Sequence, residues 1–134
     1  MYAIGNKKIA RHILFEIERR ASGHAWESDG AKHTVEHVLP ENPGEHWDAF
    51  TEQEQDRWIY RLGNLTLLDA ARNRELGNRD FADKRAAYRQ SEFQITRKLA
   101  EEYEQWTPRE LRARQAWMAK QACAIWRIET FARR

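Results

Sequence analysis

The segment that decides the fold is His33-Thr34-Val35-Glu36-His37-Val38-Leu39-Pro40, or HTVEHVLP at residues 33–40. Its β-branched and polar residues alternate, and Pro40 then interrupts any ladder of backbone hydrogen bonds. This pattern predicts a short strand over residues 33–39. The apolar residues that follow Asn64 predict a partner strand over residues 64–68. Because an isolated hairpin is marginally stable in water, both strands must pack on helices.

The rest of the sequence is predominantly helical in pattern. Ile9, Ile13 and Ile17 repeat at helical spacing and predict a helix over residues 6–21. The TEQE sequence at residues 51–54 has the form of a capping box. A helix is predicted from this box to about Arg61, and Gly63, in the break at residues 62–64, is suited to a helix C-terminus. Residues 69–78 have no clear pattern and are predicted to be irregular. Further helices are predicted over residues 79–90, with Asn78 as the N-cap, and over residues 94–105 and 108–130. The predicted fold class is therefore α+β and predominantly helical.

Composition limits the class of protein. The 134 residues fit a single domain, 33% of them are charged, and the mean hydropathy is -0.93. A single cysteine, Cys123, excludes a disulfide within the chain and a multi-cysteine zinc finger. The single cysteine fits a reducing, cytoplasmic setting. No apolar run has the roughly 20 residues that a membrane span needs, so we expect no membrane association. The tryptophans at positions 58, 106, 117 and 126 are assigned to the core rather than to base stacking.

Charge is unevenly distributed along the chain. Residues 1–60 hold 7 Lys/Arg and 11 Asp/Glu, whereas residues 61–134 hold 16 Lys/Arg and 10 Asp/Glu. The second half is therefore basic, which is compatible with a polyanionic partner such as nucleic acid. A solvated helical surface has the same composition, so charge alone does not decide between the two.

Polar residues at three places in the sequence could carry chemistry. Glu36 and His37 come together at the end of the first strand, Asn64 stands at the start of the second, and Asn73 follows nine residues later. Histidine titrates near neutral pH and is suited to deprotonating water for phosphodiester hydrolysis. A carboxylate and an amide oxygen suit a hard cation such as Mg²⁺. The spacing alone is equally compatible with a structural histidine and with asparagines in turns.

The ordered motifs resemble one family. They are EHVLPENP at residues 36–43, LGNLTLL at residues 62–68, and then Asn73, Asn78, Phe81, Lys84, Tyr88 and Ser91. Trp106-Thr107, Arg114 and Ala124-Ile125-Trp126 extend the resemblance, which covers about residues 5–130. Together they resemble the C-terminal domain of GmrSD-type modification-dependent restriction endonucleases, an HNH nuclease of the His-Me finger superfamily. The resemblance implies one nuclease domain over residues 1–134. In that domain a ββα-metal motif, at about residues 33–90, is embedded among flanking helices at about residues 6–21 and 94–130. The helix of the motif is expected to begin near residues 73–79.

The resemblance also implies roles for individual residues. His37 matches the general base, and Asn64 matches the residue that orients the imidazole or ties the loop to the second strand. Glu36 and Asn73 match the ligands of one Mg²⁺ or Mn²⁺, with Asn78 as the alternative ligand to Asn73. Lys84 matches a position on the helix that faces the phosphate. Charge adds Arg74 and Arg72 to Lys84 as predicted contacts to the nucleic-acid backbone.

The expected function is a metal-dependent DNA endonuclease or nickase in a modification-dependent, phage-defence restriction system. The family joins this domain to an N-terminal NTP-hydrolysing domain that senses DNA modification. The sequence has no Walker-type motif, so we expect the chain to be either a stand-alone nuclease or the C-terminal part of a longer protein, and we favour the second. Two alternatives remain. A catalytically inactive nucleic-acid-binding domain would bind without metal and not cleave, and a helical protein-interaction scaffold would show no salt-sensitive DNA binding.

Overall fold

A two-stranded antiparallel sheet lies among helices. The computed structural model describes residues 7–26 and 31–132, and it describes side chains up to residue 127. Within these residues the elements are, in chain order, α1 (Lys7–Ser22), β1 (His33–His37), α2 (Glu52–Trp58), a 3₁₀ turn (Leu62–Asn64), β2 (Leu65–Asp69), α3 (Ala70–Leu76), α4 (Phe81–Arg89), α5 (Gln94–Glu102) and α6 (Pro108–Ala132). The expected α+β class with predominant helix is confirmed.

The two strands pair over their whole length. The register joins His33 to Asp69 at one end and His37 to Leu65 at the other. β1 ends at His37, before the predicted end at residue 39, because the Asn64 N–H donates to the Arg61 carbonyl and not back to β1, and the Leu39 amide bonds a side chain. The Val38 N–H donates to the Asn64 carbonyl and the Leu39 N–H donates to Asn64 Oδ1. Asn64 therefore ends the hairpin, and the chain turns away from the sheet directly after His37.

The segment after β2 is helical, and the prediction that residues 69–78 are irregular is wrong. The side chain of Asp69 accepts a hydrogen bond from the Arg72 amide and caps α3, which ends at Gly77 with φ 49°. The helix that follows the second strand thus begins at Ala70 and not near residues 73–79. The cap signal of Asp69 was hidden because the residue also ends a strand.

The N-cap of α4 also differs from the prediction. Asp80, and not Asn78, accepts a hydrogen bond from the Asp83 amide, and the helix begins at Phe81. The side chain of Asn78 instead donates to the Asn42 carbonyl at 3.1 Å. Asp and Asn are nearly equivalent as caps, so the sequence could not separate two candidates that lie two residues apart.

Two apolar clusters enclose the hairpin. Alternation along β2 places Leu68 in one cluster, with Tyr88 and Trp106, and Leu67 in the other, with Leu14. The predicted helix over residues 6–21 is confirmed as α1, which buries Ile17 but leaves Ile9 53% exposed. Trp126 is 69% exposed, so its assignment to the core is wrong.

Helix ends are supported from other elements. The buried carboxylate of Glu18 in α1 accepts hydrogen bonds from the Gln94 and Ile95 amides, both at 2.9 Å, and caps α5. The predicted capping box at the start of α2 is confirmed, with Thr51 and Glu54 bonding each other's amides.

None of the described helices is long and apolar enough to cross a membrane.

Gly63 allows α6 to pack against the 3₁₀ turn. A Cβ at this position would lie 2.6 Å from Cα of Gln115 in α6, so a larger residue would separate the two backbones. Buried Arg114, also in α6, donates to the carbonyls of Gly63 and Leu65. The predicted role of Gly63 as a helix end is wrong, because α2 ends at Trp58 with Ile59 as its C-cap, and the glycine instead allows the close approach of α6.

Candidate active site

The end of β1 opens into a cleft that we call the polar cleft. It has a volume of about 380 Å³ and is lined by Glu36, His37, Glu41, Asn42, Asn73 and Asn78, among others. Four of the residues predicted from the sequence therefore meet here, namely Glu36, His37, Asn73 and Asn78. Glu36 and His37 are neighbours on a strand, yet both reach the cleft because β1 ends at His37.

Two residues that the sequence analysis did not single out surround the imidazole of His37. Its Nδ1 lies 3.8 Å from Oε1 of Glu41, and the ring of Tyr60 meets it edge to face at 5.7 Å between centroids. The Tyr60 hydroxyl donates to Oε2 of Glu41 at 2.9 Å. Burial lowers the pKa of His37 below its ordinary value, Glu41 opposes this shift, and Lys7 and Lys84 add to it. The net shift favours the neutral imidazole, which is the form that can accept a proton.

Glu36 is a buried carboxylate, 2% exposed, with two side-chain partners. Its Oε2 accepts a 2.6 Å hydrogen bond from the Tyr88 hydroxyl and lies 3.3 Å from Nζ of Lys84. Burial raises the pKa of Glu36, and the ammonium of Lys84 opposes that shift. Both side-chain contacts use the same oxygen, and the His37 backbone N–H also hydrogen-bonds this carboxylate.

Asn73 lines the same cleft. Its Nδ2 donates to Oγ1 of Thr34 at 2.8 Å and to the Val35 carbonyl at 3.1 Å. These two bonds fix the amide from the α3 side of the hairpin and direct the remaining Oδ1 away from β1. Asn78 lies in the same cleft but bonds the turn at Asn42.

A carboxylate and an amide oxygen form the donor set of the polar cleft. No group of three or more His, Cys, Asp or Glu side chains in the described part of the chain is arranged to hold a metal ion. That arrangement is not required for Mg²⁺, which keeps several waters and is held by one or two protein oxygens. Glu36 and Asn73 therefore fit a hard divalent cation, and they do not fit a site of the zinc type.

Asn64 lies beneath the cleft and is fully buried. Its Nδ2 donates to the carbonyls of Leu39 and Ile59, and its Oδ1 accepts from the Leu39 amide and from Nε1 of Trp106. These four bonds use the whole capacity of the side chain, and none involves His37. Of its two predicted roles, the geometry matches the tie between loop and strand.

The three residues predicted to contact nucleic acid lie in different surroundings. Lys84 is 0% exposed, and its Nζ donates to the carbonyls of His37 and Val38 in addition to its contact with Glu36. The prediction that Lys84 contacts nucleic acid is wrong, because its three N–H groups are used inside the protein. Arg72 donates to the Ala87 carbonyl and lies 3.5 Å from Asp69, so it joins α3 to α4. Arg74 is exposed, and its predicted contact stays a prediction.

A second cleft, which we call the basic cleft, adjoins the polar cleft. It shares the walls formed by His37, Glu41 and Asn73 and continues to Lys7, Lys8 and Arg11 of α1. The sequence analysis missed these three cations because it summed charge over residues 1–60, where acidic residues elsewhere cancel them. The sequence does hold a signal for the roles of Glu41 and Tyr88 in the site, because they lie four residues after His37 and Lys84, respectively.

Comparison with known proteins identifies a family. A family model described as GmrSD restriction endonucleases, C-terminal domain, matches residues 2–121 of the 134 residues. A search of curated proteins found no match.

Proposed function

The chain belongs to the family of GmrSD restriction endonuclease C-terminal domains, and from that membership we propose that it is an HNH-type, metal-dependent DNA endonuclease acting at the polar cleft. The observation that carries the proposal is the position of His37 in one cleft with Glu36 and Asn73. A base that burial keeps neutral thus stands beside two oxygen donors for a hard cation.

His37 is the general base in this proposal. Its imidazole takes a proton from water as the water oxygen forms a bond to phosphorus and the bond from phosphorus to the 3′ oxygen breaks. The departing 3′ oxygen takes a proton from solvent, and the products are a 5′-phosphate and a 3′-hydroxyl. Glu41 faces Nδ1 of His37 and stabilises the protonated imidazole that results. Tyr60 holds Glu41 in place through its hydroxyl.

Glu36 and Asn73 would hold one Mg²⁺ or Mn²⁺, with Asn78 as the alternative to Asn73. Such an ion supplies positive charge at the scissile phosphate and at the departing oxygen. The support for this assignment is that Lys84 and Tyr88 fix one oxygen of Glu36, while Thr34 and Val35 fix the amide of Asn73. Asn64 is a positioning residue in this scheme, since it shapes the backbone that follows His37.

The biological setting is also a proposal. The hairpin followed by α3 has the element order of the ββα-metal motif of His-Me finger nucleases. We place the domain in the cytoplasm, as a single unit joined to an N-terminal NTP-hydrolysing domain that senses modified DNA. The chain alone should then nick unmodified plasmid weakly and without sequence preference. Strong site preference by this chain would count against that division of labour.

Nicking of supercoiled plasmid tests the proposed function. Wild type, His37→Ala, Asn73→Ala and His46→Ala are compared with Mg²⁺, with Mn²⁺ and with EDTA. His46 is exposed and does not line either cleft, so its variant is the matched control. We expect metal-dependent open-circle product from wild type and His46→Ala. His37→Ala should lose about 10²- to 10⁴-fold in rate, the usual contribution of a general base.

The outcomes that contradict the proposal also separate the alternatives. Cleavage that persists in His37→Ala would remove His37 as the base. A wild type that cleaves in neither metal but shifts DNA in EDTA would be a catalytically inactive binding domain. A wild type that neither cleaves nor binds DNA would favour the protein-interaction scaffold. Mapping of product ends adds a separate check, since 3′-phosphate ends would contradict the proposed bond breakage.

A further inference from the structure

The basic cleft has no role in the chemistry described above, although it reaches the proposed base. We propose that Lys7 and Lys8, on a wall that Arg11 holds in place, bind the phosphate backbone of the substrate strand and lead it to His37. This inference rests on the proposed nuclease function and adds to it the surface that holds the substrate. It differs from the prediction made from sequence, which assigned phosphate contacts to Lys84, Arg74 and Arg72.

The two clefts are continuous at the residues that would do the chemistry. His37, Glu41 and Asn73 line both, so they form the ridge between them. A strand that lies along the basic cleft therefore brings a phosphate to the imidazole without crossing any other element. The basic cleft has a volume of about 380 Å³, and it opens between the first turn of α1 and the strand β1.

The two clefts differ in the charge of the residues that line them. Among the described residues, the lining of the polar cleft includes two carboxylates, Glu36 and Glu41, and neither lysine nor arginine. The lining of the basic cleft includes three cationic side chains and the carboxylate of Glu41. A cation is therefore favoured on one side of His37 and a polyanion on the other, which is the division that a metal-dependent nuclease needs.

The three cations of α1 are presented differently. Lys7 and Lys8 are exposed, whereas Arg11 is partly buried, donates to the His33 carbonyl and packs its guanidinium 5.1 Å from the centre of the Phe15 ring. Arg11 thereby joins α1 to the start of β1 and fixes the wall on which the lysines stand. Lys7 and Lys8 are exposed, so we expect their replacement to disturb the fold less than replacement of Arg11 would.

The matched test compares two pairs of exposed cations on the same helix. Lys7→Ala/Lys8→Ala removes the pair in the basic cleft, and Arg19→Ala/Arg20→Ala removes an equal charge from the last turn, outside it. Fluorescence anisotropy with a short labelled duplex in EDTA measures binding between about 50 and 200 mM salt. Lys7→Arg/Lys8→Arg keeps the charge and should bind as wild type does.

We expect the lysine pair to contribute two phosphate contacts. Its removal should reduce the slope of log K against log salt by about 2 and weaken binding about 10- to 100-fold near 0.1 M salt. The arginine pair should leave the slope within about 0.5 of wild type. Equal slopes for the two alanine variants would overturn the inference while leaving the nuclease intact, provided that wild type still nicks plasmid. A wild type that neither binds nor nicks would overturn both.

Discussion

Two buried residues near His37, Asn64 and Lys84, form what we call the buried support. This support and the two clefts that His37 lines use asparagine and lysine in opposite ways. Asn64, in the support, has all four of its hydrogen-bonding positions occupied by the protein, whereas Asn73, in the cleft, uses only its NH₂ group. Lys84 is buried with three partners, whereas Lys7 is exposed at the basic cleft. The structural positions and the proposed functional positions therefore share residue types and differ in how many of their hydrogen-bonding groups the protein occupies.

The largest effect on stability should come from breaking the buried support. Lys84→Met keeps most of the volume but leaves the carbonyls of His37 and Val38 unbonded and Glu36 without its ammonium partner. Loss of one member of a buried ion pair costs about 3–5 kcal/mol. For a chain of this length we expect the melting temperature to fall by about 10–20 °C, measured by calorimetry.

The double variant Glu36→Gln/Lys84→Met sharpens this prediction. It removes the buried charge that Lys84→Met strands, so it should recover part of the lost stability. The deficit of Lys84→Met should also shrink at acid pH, because burial already raises the pKa of Glu36 and protonation removes the stranded charge. A melting temperature equal to that of wild type for Lys84→Met would show that the pair is not part of a stabilising support.

The two asparagines provide the next comparison. Asn64→Ala leaves four buried partner groups unsatisfied, and we expect a loss of about 2–4 kcal/mol in the free energy of unfolding. Asn73→Ala removes two bonds at a partly exposed position and should cost no more than about 1 kcal/mol. Urea denaturation of both variants measures the difference. If both lost equal stability, Asn73 would belong to the support and not to the cleft.

The smallest effect concerns the pH dependence of cleavage. In the proposed mechanism neutral His37 is the active form, and burial lowers its pKa from the ordinary value of 6.5, so activity should fall only below about pH 6.5. Glu41 raises that pKa, so Glu41→Gln should move the acid limb of the rate profile to lower pH. The exposed residue Glu45 supplies the control variant Glu45→Gln. A limb that moves to higher pH in Glu41→Gln would contradict the assignment.

Much of the fold could be predicted, because strong local signals specify it. The strands, α1 and the capping box of α2 follow from alternation, helical spacing and cap chemistry. α3 was missed because Asp69 both ends β2 and caps the helix. Gly63 was misassigned because its reason is the approach of Gln115, which is 52 residues distant in sequence.

The candidate site could be predicted in part. Glu36, His37 and Asn73 were identified from their chemistry and family resemblance, and the structure brings them to one cleft. Burial, however, is a property of the assembled chain. Sequence could not reveal that Lys84 is enclosed by β1 and the rest of α4, or that α1 brings Lys7 and Lys8 beside His37.

Mn²⁺ binding tests the central claim that the polar cleft is a cation site formed by Glu36 and Asn73. Titration of wild type, Asn73→Ala and Asn78→Ala is followed by the electron paramagnetic resonance of free Mn²⁺, which needs neither DNA nor cleavage. We expect one bound ion in wild type, the same affinity in Asn78→Ala, and at least about tenfold weaker binding in Asn73→Ala. Wild type without a bound ion, or Asn73→Ala with unchanged affinity, would contradict the account.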